Sequence, residues 1–191
     1  MRRCRKTGGR PAFRLYAEEM PVQFTTSYVE DALAVLRQYK KMAEAAMAQL
    51  SDEQLVQAID EESNSIAIIV KHMAGNMRSR WTDFLTSDGE KPDRNRDSEF
   101  EAPANSRAEL MGVWDRGWDL VFRAMEPLKE EDLGRTVLIR GEAHSVMQAI
   151  QRQVAHYASH VGQITFLAKH FKGREWQSLS IPKKRSATPA Q

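Results

Sequence analysis

Cysteine is nearly absent: Cys4 is the only one among 191 residues. No internal disulfide can form, and a reducing cytoplasm is the natural compartment for such a chain. Long hydrophobic runs are also missing. The longest uninterrupted aliphatic stretch, Ile66 to Val70, falls far short of the roughly 18 residues a spanning helix needs, so no membrane partner is expected. Residues 1–14 are basic but lack an apolar core, which excludes reading them as a secretory signal. No segment of 20–50 residues recurs, so a solenoid is excluded as well. What remains, 41% apolar and 28% charged, is the composition of a globular domain.

The net charge of +2 conceals an asymmetry. Residues 1–14 carry six basic and no acidic side chains, and residues 172–191 carry five basic against one acidic. The body between them holds 17 basic against 25 acidic. Basic ends attract phosphates, but short extensions with Gly, Pro and Ser are ordinarily solvated tails. Nucleic-acid binding is therefore not expected. We read residues 1–19 as a leader, 20–182 as one domain and 183–191 as a tail.

Hydrophobic periodicity predicts an all-α domain. Val29, Leu33, Leu36, Ala43, Met47 and Leu50 stripe a first long helix over 26–50. Ser51 with Gln54 opens a short extra helix over 51–59 as a capping box. A second long helix is predicted over 63–85. The polar connection over 87–105 is too long for a tight helix hairpin, which makes it a crossover or a functional loop. A third helix runs from Ser106 to about Met125, with Pro127 as a stop. The β-branched stretch 136–144 with its central glycine predicts a small hairpin. Ser145 with Gln148 caps a last helix, which Gly173 ends near residue 171. Four long helices with one long crossover make a four-helix bundle. Trp114, Trp118 and Phe122 look too bulky for one core, which would favour pairing of two bundles.

Histidine placement carries the functional signal. His156 and His160 lie four apart on the last helix, stacked one turn apart on one face. At 100° per residue they lie about 100° to the side of its apolar stripe, on a margin shared with Gln153 and Gln163. His72 on the second helix would add a third nitrogen. Three imidazoles of this kind can hold a metal ion with open coordination positions. Gly75, beside His72, costs about 1 kcal/mol relative to alanine within a helix, so space or a close approach is implied there. Asn76, Arg80, Arg140 and Gln163 are candidate substrate contacts, the arginines for an anionic group. His144 reads as a turn or cap residue. His170 is ten residues beyond His160, about 15 Å along the axis, and cannot share its ion. No general base is evident: Asp60, Glu61, Glu62 and Glu142 read as solvated charges rather than as orienters of the histidines.

Residues 64–91 (NSIAIIVKHMAGNMRSRWTDFLTSDGEK), 94–100 (RNRDSEF), 138–146 (LIRGEAHSV) and 156–164 (HYASHVGQI) resemble the DinB/YfiT-like superfamily of metalloenzymes. Within it, the resemblance is to a bacterial subfamily of unknown function, and it covers roughly residues 20–182. It implies an up-down-down-up bundle, frequently a homodimer. It also implies nickel, zinc or iron held by one histidine of the second helix and an H-x-x-x-H pair, matched here by His72, His156 and His160. Some relatives transfer low-molecular-weight thiols such as bacillithiol, mycothiol or glutathione, and others are held to be hydrolases. Three neutral imidazoles leave an ion strongly Lewis acidic, able to activate a water or a thiol cosubstrate. The expectation is a divalent-metal-dependent thiol S-transferase or hydrolase. A non-catalytic bundle acting through dimerisation or partner binding is the alternative.

Overall fold

Serine starts every α-helix among the described residues. The computed structural model describes residues 27–101 and 106–180, so the expected leader and tail lie outside the described residues. Five α-helices are present among the described residues: α1 (Tyr28–Met47), α2 (Asp52–Val56), α3 (Ile66–Trp81), α4 (Arg107–Met125) and α5 (Val146–Lys172). Ser27, Ser51, Ser65, Ser106 and Ser145 are their N-caps, each hydroxyl accepting a backbone N–H three residues on. Such caps satisfy donors that the first turn leaves free. The capping boxes at Ser51–Gln54 and Ser145–Gln148 are both complete.

α1 and α2 are shorter than the expected 26–50 and 51–59, and both ends of α3 also differ from expectation, each for a local reason. α3 begins at Ile66 rather than Ser63, because Ser65 is the capping hydroxyl and residues 60–63 form turns. It ends at Trp81 rather than Leu85. Asp83 takes a left-handed conformation (φ 48°), and Thr86 and Ser87 close turns back onto its carbonyl. α5 ends as expected at Gly173, with φ 55°.

The four long helices pack as an up-down-down-up bundle. Tyr28 reaches Gln151 and Gln49 reaches the Gln177 carbonyl, so α1 and α5 run in the same direction. Arg107, at the start of α4, donates to the carbonyls of Met47, the last residue of α1, and of Leu50 just beyond it, which sets those two helices antiparallel. Trp81 pairs with Tyr157, and His72 lies against His160, so α3 opposes α5. Hence α3 and α4 are parallel, and a crossover must join them.

That crossover is described over residues 82–101. It is held by a small hairpin, β1 (Thr136–Ile139) and β2 (Glu142–Ser145), paired from Thr136↔Ser145 to Ile139↔Glu142. Arg140 and Gly141 form its two-residue turn, both with positive φ (57° and 75°), the conformation hairpin twist requires. Asp88 from the crossover accepts the backbone N–H groups of both turn residues at 2.8 and 2.7 Å, and Gly89 N–H donates to the Leu138 carbonyl. His144 therefore belongs to a strand, opposite Val137, and not to a turn or cap.

One bundle does accommodate the tryptophans, contrary to expectation. Trp114 and Trp118 are completely buried, and Phe122, half-buried, stacks on Trp118 with ring centroids 5.6 Å apart. Room comes from α3 and α4 touching through small residues: a Cβ on Gly117 would lie 2.9 Å from the Met77 sulfur and 3.2 Å from the Ala74 Cα. No helix among the described residues is long and apolar enough to cross a membrane. Replacing Gly117 with valine should overpack this seam and destabilise the protein by about 1–3 kcal/mol. Urea unfolding checks it; an unchanged midpoint would show that the two helices can part without cost.

Candidate metal centre

α3 and α5 cross with their histidines facing one another. His72 follows Ile69 and Val70 on the core-facing side of α3 and is only 6% exposed. His156 and His160 are half-buried on the flank of α5, where the helical phase predicts them. One ring nitrogen from each of the three lies within 4.8 Å of the other two. Ring centroids are 5.6 Å apart for His72–His156, 5.0 Å for His72–His160 and 4.6 Å for His156–His160. The Nε2 atoms of His156 and His160 approach to 3.0 Å.

Neighbours fix which nitrogens face inward. His72 Nδ1 is 2.9 Å from Glu99 Oε2, and His160 Nδ1 is 2.8 Å from Gln163 Oε1. Acceptors at those distances hold the proton on Nδ1 and leave Nε2 with its lone pair toward the other rings. His156 Nδ1 is buried with no hydrogen-bond partner among the described residues, as is the Oε1 of Gln153 one turn earlier. Burial, then the positive charges of His160 and His72, pull the His156 imidazole down to about 3. Burial likewise lowers His160. Both rings are thus neutral at neutral pH, the state in which imidazole binds a metal.

Glu99 explains Gly75. The carboxylate comes from a short 3-10 turn, Asp97–Glu99, in the crossover and is 6% exposed. A Cβ on Gly75 would stand 2.2 Å from its Oε1, so the missing side chain is the door through which Glu99 enters. Arg94 clamps it with two bonds, Nε to Oε1 at 2.8 Å and Nη2 to Oε2 at 3.0 Å. Burial alone would raise the Glu99 carboxyl, but the bonds from His72 and Arg94 prevail and hold it below the usual range. The next residue, Phe100, lies against the His72 ring (centroids 4.9 Å), with the Arg96 guanidinium over its outer side.

The four candidate substrate contacts have separate fates. Gln163 touches the site through His160. Asn76 is buried and accepts from the Tyr157 hydroxyl at 3.2 Å, which itself accepts from Trp81 Nε1. Arg80 is buried, donates to the Gly89 carbonyl and pairs with Glu90 at 3.0 Å. Arg140 projects from the hairpin turn and pairs with the same Glu90 at 2.9 Å. Both arginines therefore brace the crossover through Glu90, Arg80 from a buried position and Arg140 from an exposed one. Asp60 accepts the Glu62 backbone N–H in a turn, and Glu142 is exposed beside His144. His170 is exposed on the last turn of α5. Glu99 is the residue that sequence reasoning missed, although it lies within the quoted 94–100 stretch.

The donor set fits a borderline divalent ion: three imidazole nitrogens converge, two of the rings are oriented by a second acceptor, and the carboxylate stands behind one of them. The model of a family of proteins of unknown function, DUF1572, matches residues 23–185. The chain belongs to this DinB-like family. No curated protein sequence matches it. Among solved structures it resembles YfiT from Bacillus subtilis, described as a probable metal-dependent hydrolase with an unusual four-helix bundle topology. The TM-score is 0.63 at 17% identity, covering 79% of this chain and 91% of that one. That likeness establishes the DUF1572 chain as sharing the bundle fold.

Two outcomes follow from this geometry. Alanine is the better helix former by about 1 kcal/mol, yet Gly75→Ala should destabilise the protein by about 1–3 kcal/mol, because its methyl collides with Glu99. A stabilised variant in thermal unfolding would contradict the packing. His156 binds a proton in the unfolded chain near pH 6.5 but in the folded chain only near 3. Its contribution is therefore fully present above pH 6.5 and is lost as pH falls below it, by about 1 kcal/mol at pH 5 after solvent screening. Urea midpoints of chelator-treated protein should fall more steeply between pH 7 and 5 than those of His156→Gln; parallel slopes would refute the assignment.

Proposed function

We propose that the protein is a divalent-metal-dependent enzyme whose ion is held by His72, His156 and His160, and that its reaction is hydrolysis. The observation that carries this reading is the convergence of three ring nitrogens within 4.8 Å, from two different helices. A divalent ion (nickel, zinc or iron) bound there would supply Lewis acidity, polarising a substrate carbonyl or lowering the pKa of a bound water. The likeness to a bundle described as a probable metal-dependent hydrolase supports the choice of water over other nucleophiles.

The chain's own groups would do the remaining work. Glu99, held by Arg94, fixes the His72 ring and increases its basicity as a ligand. Gln163 does the same for His160 without adding charge. Phe100 covers the exposed side of His72 and keeps bulk water from that ring. Asn76, with Tyr157 and Trp81, ties α3 to α5 just beyond the histidines and keeps their spacing. Thiol S-transfer is the second reading, because the same neutral ligand set would ionise a thiol cosubstrate. A panel of esters and amides run beside a panel of low-molecular-weight thiols with an electrophile separates the two. A non-catalytic bundle working through dimerisation predicts no turnover in either panel.

Untagged protein should carry close to stoichiometric metal by elemental analysis, and His156→Ala should lose it. Unchanged metal in that variant would defeat the proposal. Glu99→Gln keeps the size of the side chain while removing its charge. It should weaken metal affinity about 10- to 100-fold, measured by chelator competition; wild-type affinity would show that the carboxylate only supports the fold.

A further inference from the structure

Two of the three histidines have an acceptor on Nδ1, and the third does not. Glu99 Oε2 stands 2.9 Å from His72 Nδ1, and Gln163 Oε1 stands 2.8 Å from His160 Nδ1. The Nδ1 of His156 is sealed from solvent and meets no hydrogen-bond partner among the described residues. Its Nε2 faces the Nε2 of His160 at 3.0 Å, so Nδ1 is the nitrogen directed away from the cluster. Four buried polar side-chain atoms among the described residues lack a partner, and only one of them is an oxygen, Gln153 Oε1. Gln153 is 6% exposed and lies three residues before His156 on α5. That spacing places it about 4.5 Å back along the axis and about 60° around. Helical side chains lean toward the N-terminus, so the ring of His156 lies over the turn that carries Gln153. His160 and Gln163, also three apart on this helix, show that such a pair can close. Gln153 lines a cavity of about 10 Å³ with Arg80, Gly89, Ile139 and Ala149, one that does not reach His156, so its amide has room to turn.

A buried amide oxygen without a donor is costly, and so is a buried ring N–H without an acceptor. One hydrogen bond between them removes both costs. It is required when His156 gives its Nε2 lone pair to an ion, because the neutral ring must then carry its proton on Nδ1. We infer that Gln153 is the positioning residue for His156: its Oε1 accepts the Nδ1 proton of the metal-binding ring and completes a set with Glu99 and Gln163. Two neutral amides on the α5 rings and one carboxylate on His72 would then orient all three ligands while adding a single negative charge. This inference rests on the histidines binding a metal ion, and its experiment separates the two.

The zinc affinity of untagged full-length protein is measured by chelator competition, and the stability of chelator-treated protein by urea unfolding. Gln153→Met keeps the length of the side chain and removes its acceptor. Its zinc affinity should fall about 10- to 100-fold. Its metal-free midpoint should stay unchanged or rise, because a buried amide without a donor has been removed. Gln153→Glu restores an oxygen at the same reach, and its zinc affinity should return to within about threefold of wild type or exceed it. Wild-type affinity in Gln153→Met, or an equal loss in Gln153→Glu, overturns the inference, since the side chain would then act by filling space. Nitrogen-15 spectra of the histidine rings in zinc-loaded wild type need no variant. His156 should show a slowly exchanging Nδ1 proton with a nuclear Overhauser contact to the Gln153 side chain; a rapidly exchanging proton without that contact also overturns the inference. If the wild type takes up no zinc, or His156→Ala binds it equally well, the metal reading fails first and this inference falls with it. Under the other adverse outcomes the metal centre stands and only the role of Gln153 is lost.

Discussion

The centre depends on one buried contact, between the Glu99 carboxylate and the Nδ1 of His72. An ionised carboxylate taken out of water is costly unless it is paired and hydrogen-bonded. Here Arg94 supplies two bonds and His72 a third, while the missing side chain of Gly75 provides the space. The arrangement fixes a ring that a helix alone would leave free to choose among rotamers. It also ties the crossover to α3 at the point where the two histidines of α5 arrive.

From that contact a chain of alternating charges extends to the surface. Arg94 bridges Glu99 and Glu90, and Glu90 in turn binds Arg80 and Arg140. Asp88 fastens the crossover to the backbone of the hairpin turn. The hairpin, which contributes no residue to the histidine cluster, thus anchors the loop that positions Glu99. Removing one member of such a network leaves another charge buried without its partner, so its parts are strongly interdependent. Loss of stability and loss of ligand orientation would accompany each other along this chain.

Most of the helical architecture was legible because it rests on local chemistry. Serine caps, a 3.6-residue apolar period and glycine at a positive φ act within a few residues, and they marked α1, α2, α4, α5 and the hairpin. The end of α3 was not legible, since a left-handed aspartate leaves little trace in composition. His72, His156 and His160 were legible as candidates through spacing and through the family resemblance. Glu99 was hidden because it approaches from 27 residues away through a loop without periodicity. Gly75 was the available sign: a helix-interior glycine implied something close by, without saying what. The ion pairs of Arg80 and Arg140 were hidden for a related reason. An arginine's partner is set by tertiary structure, and here both are committed to Glu90.

The central claim is that side chains from two separate helices jointly coordinate a single ion. X-ray absorption spectroscopy of the metal-loaded protein tests it most directly. The account predicts a shell of light scatterers at about 2.0–2.1 Å, with outer-shell scattering from three imidazole rings that drops to two when His72 is replaced by alanine. A spectrum fitted without imidazole, or one that His72→Ala leaves unchanged, would contradict it.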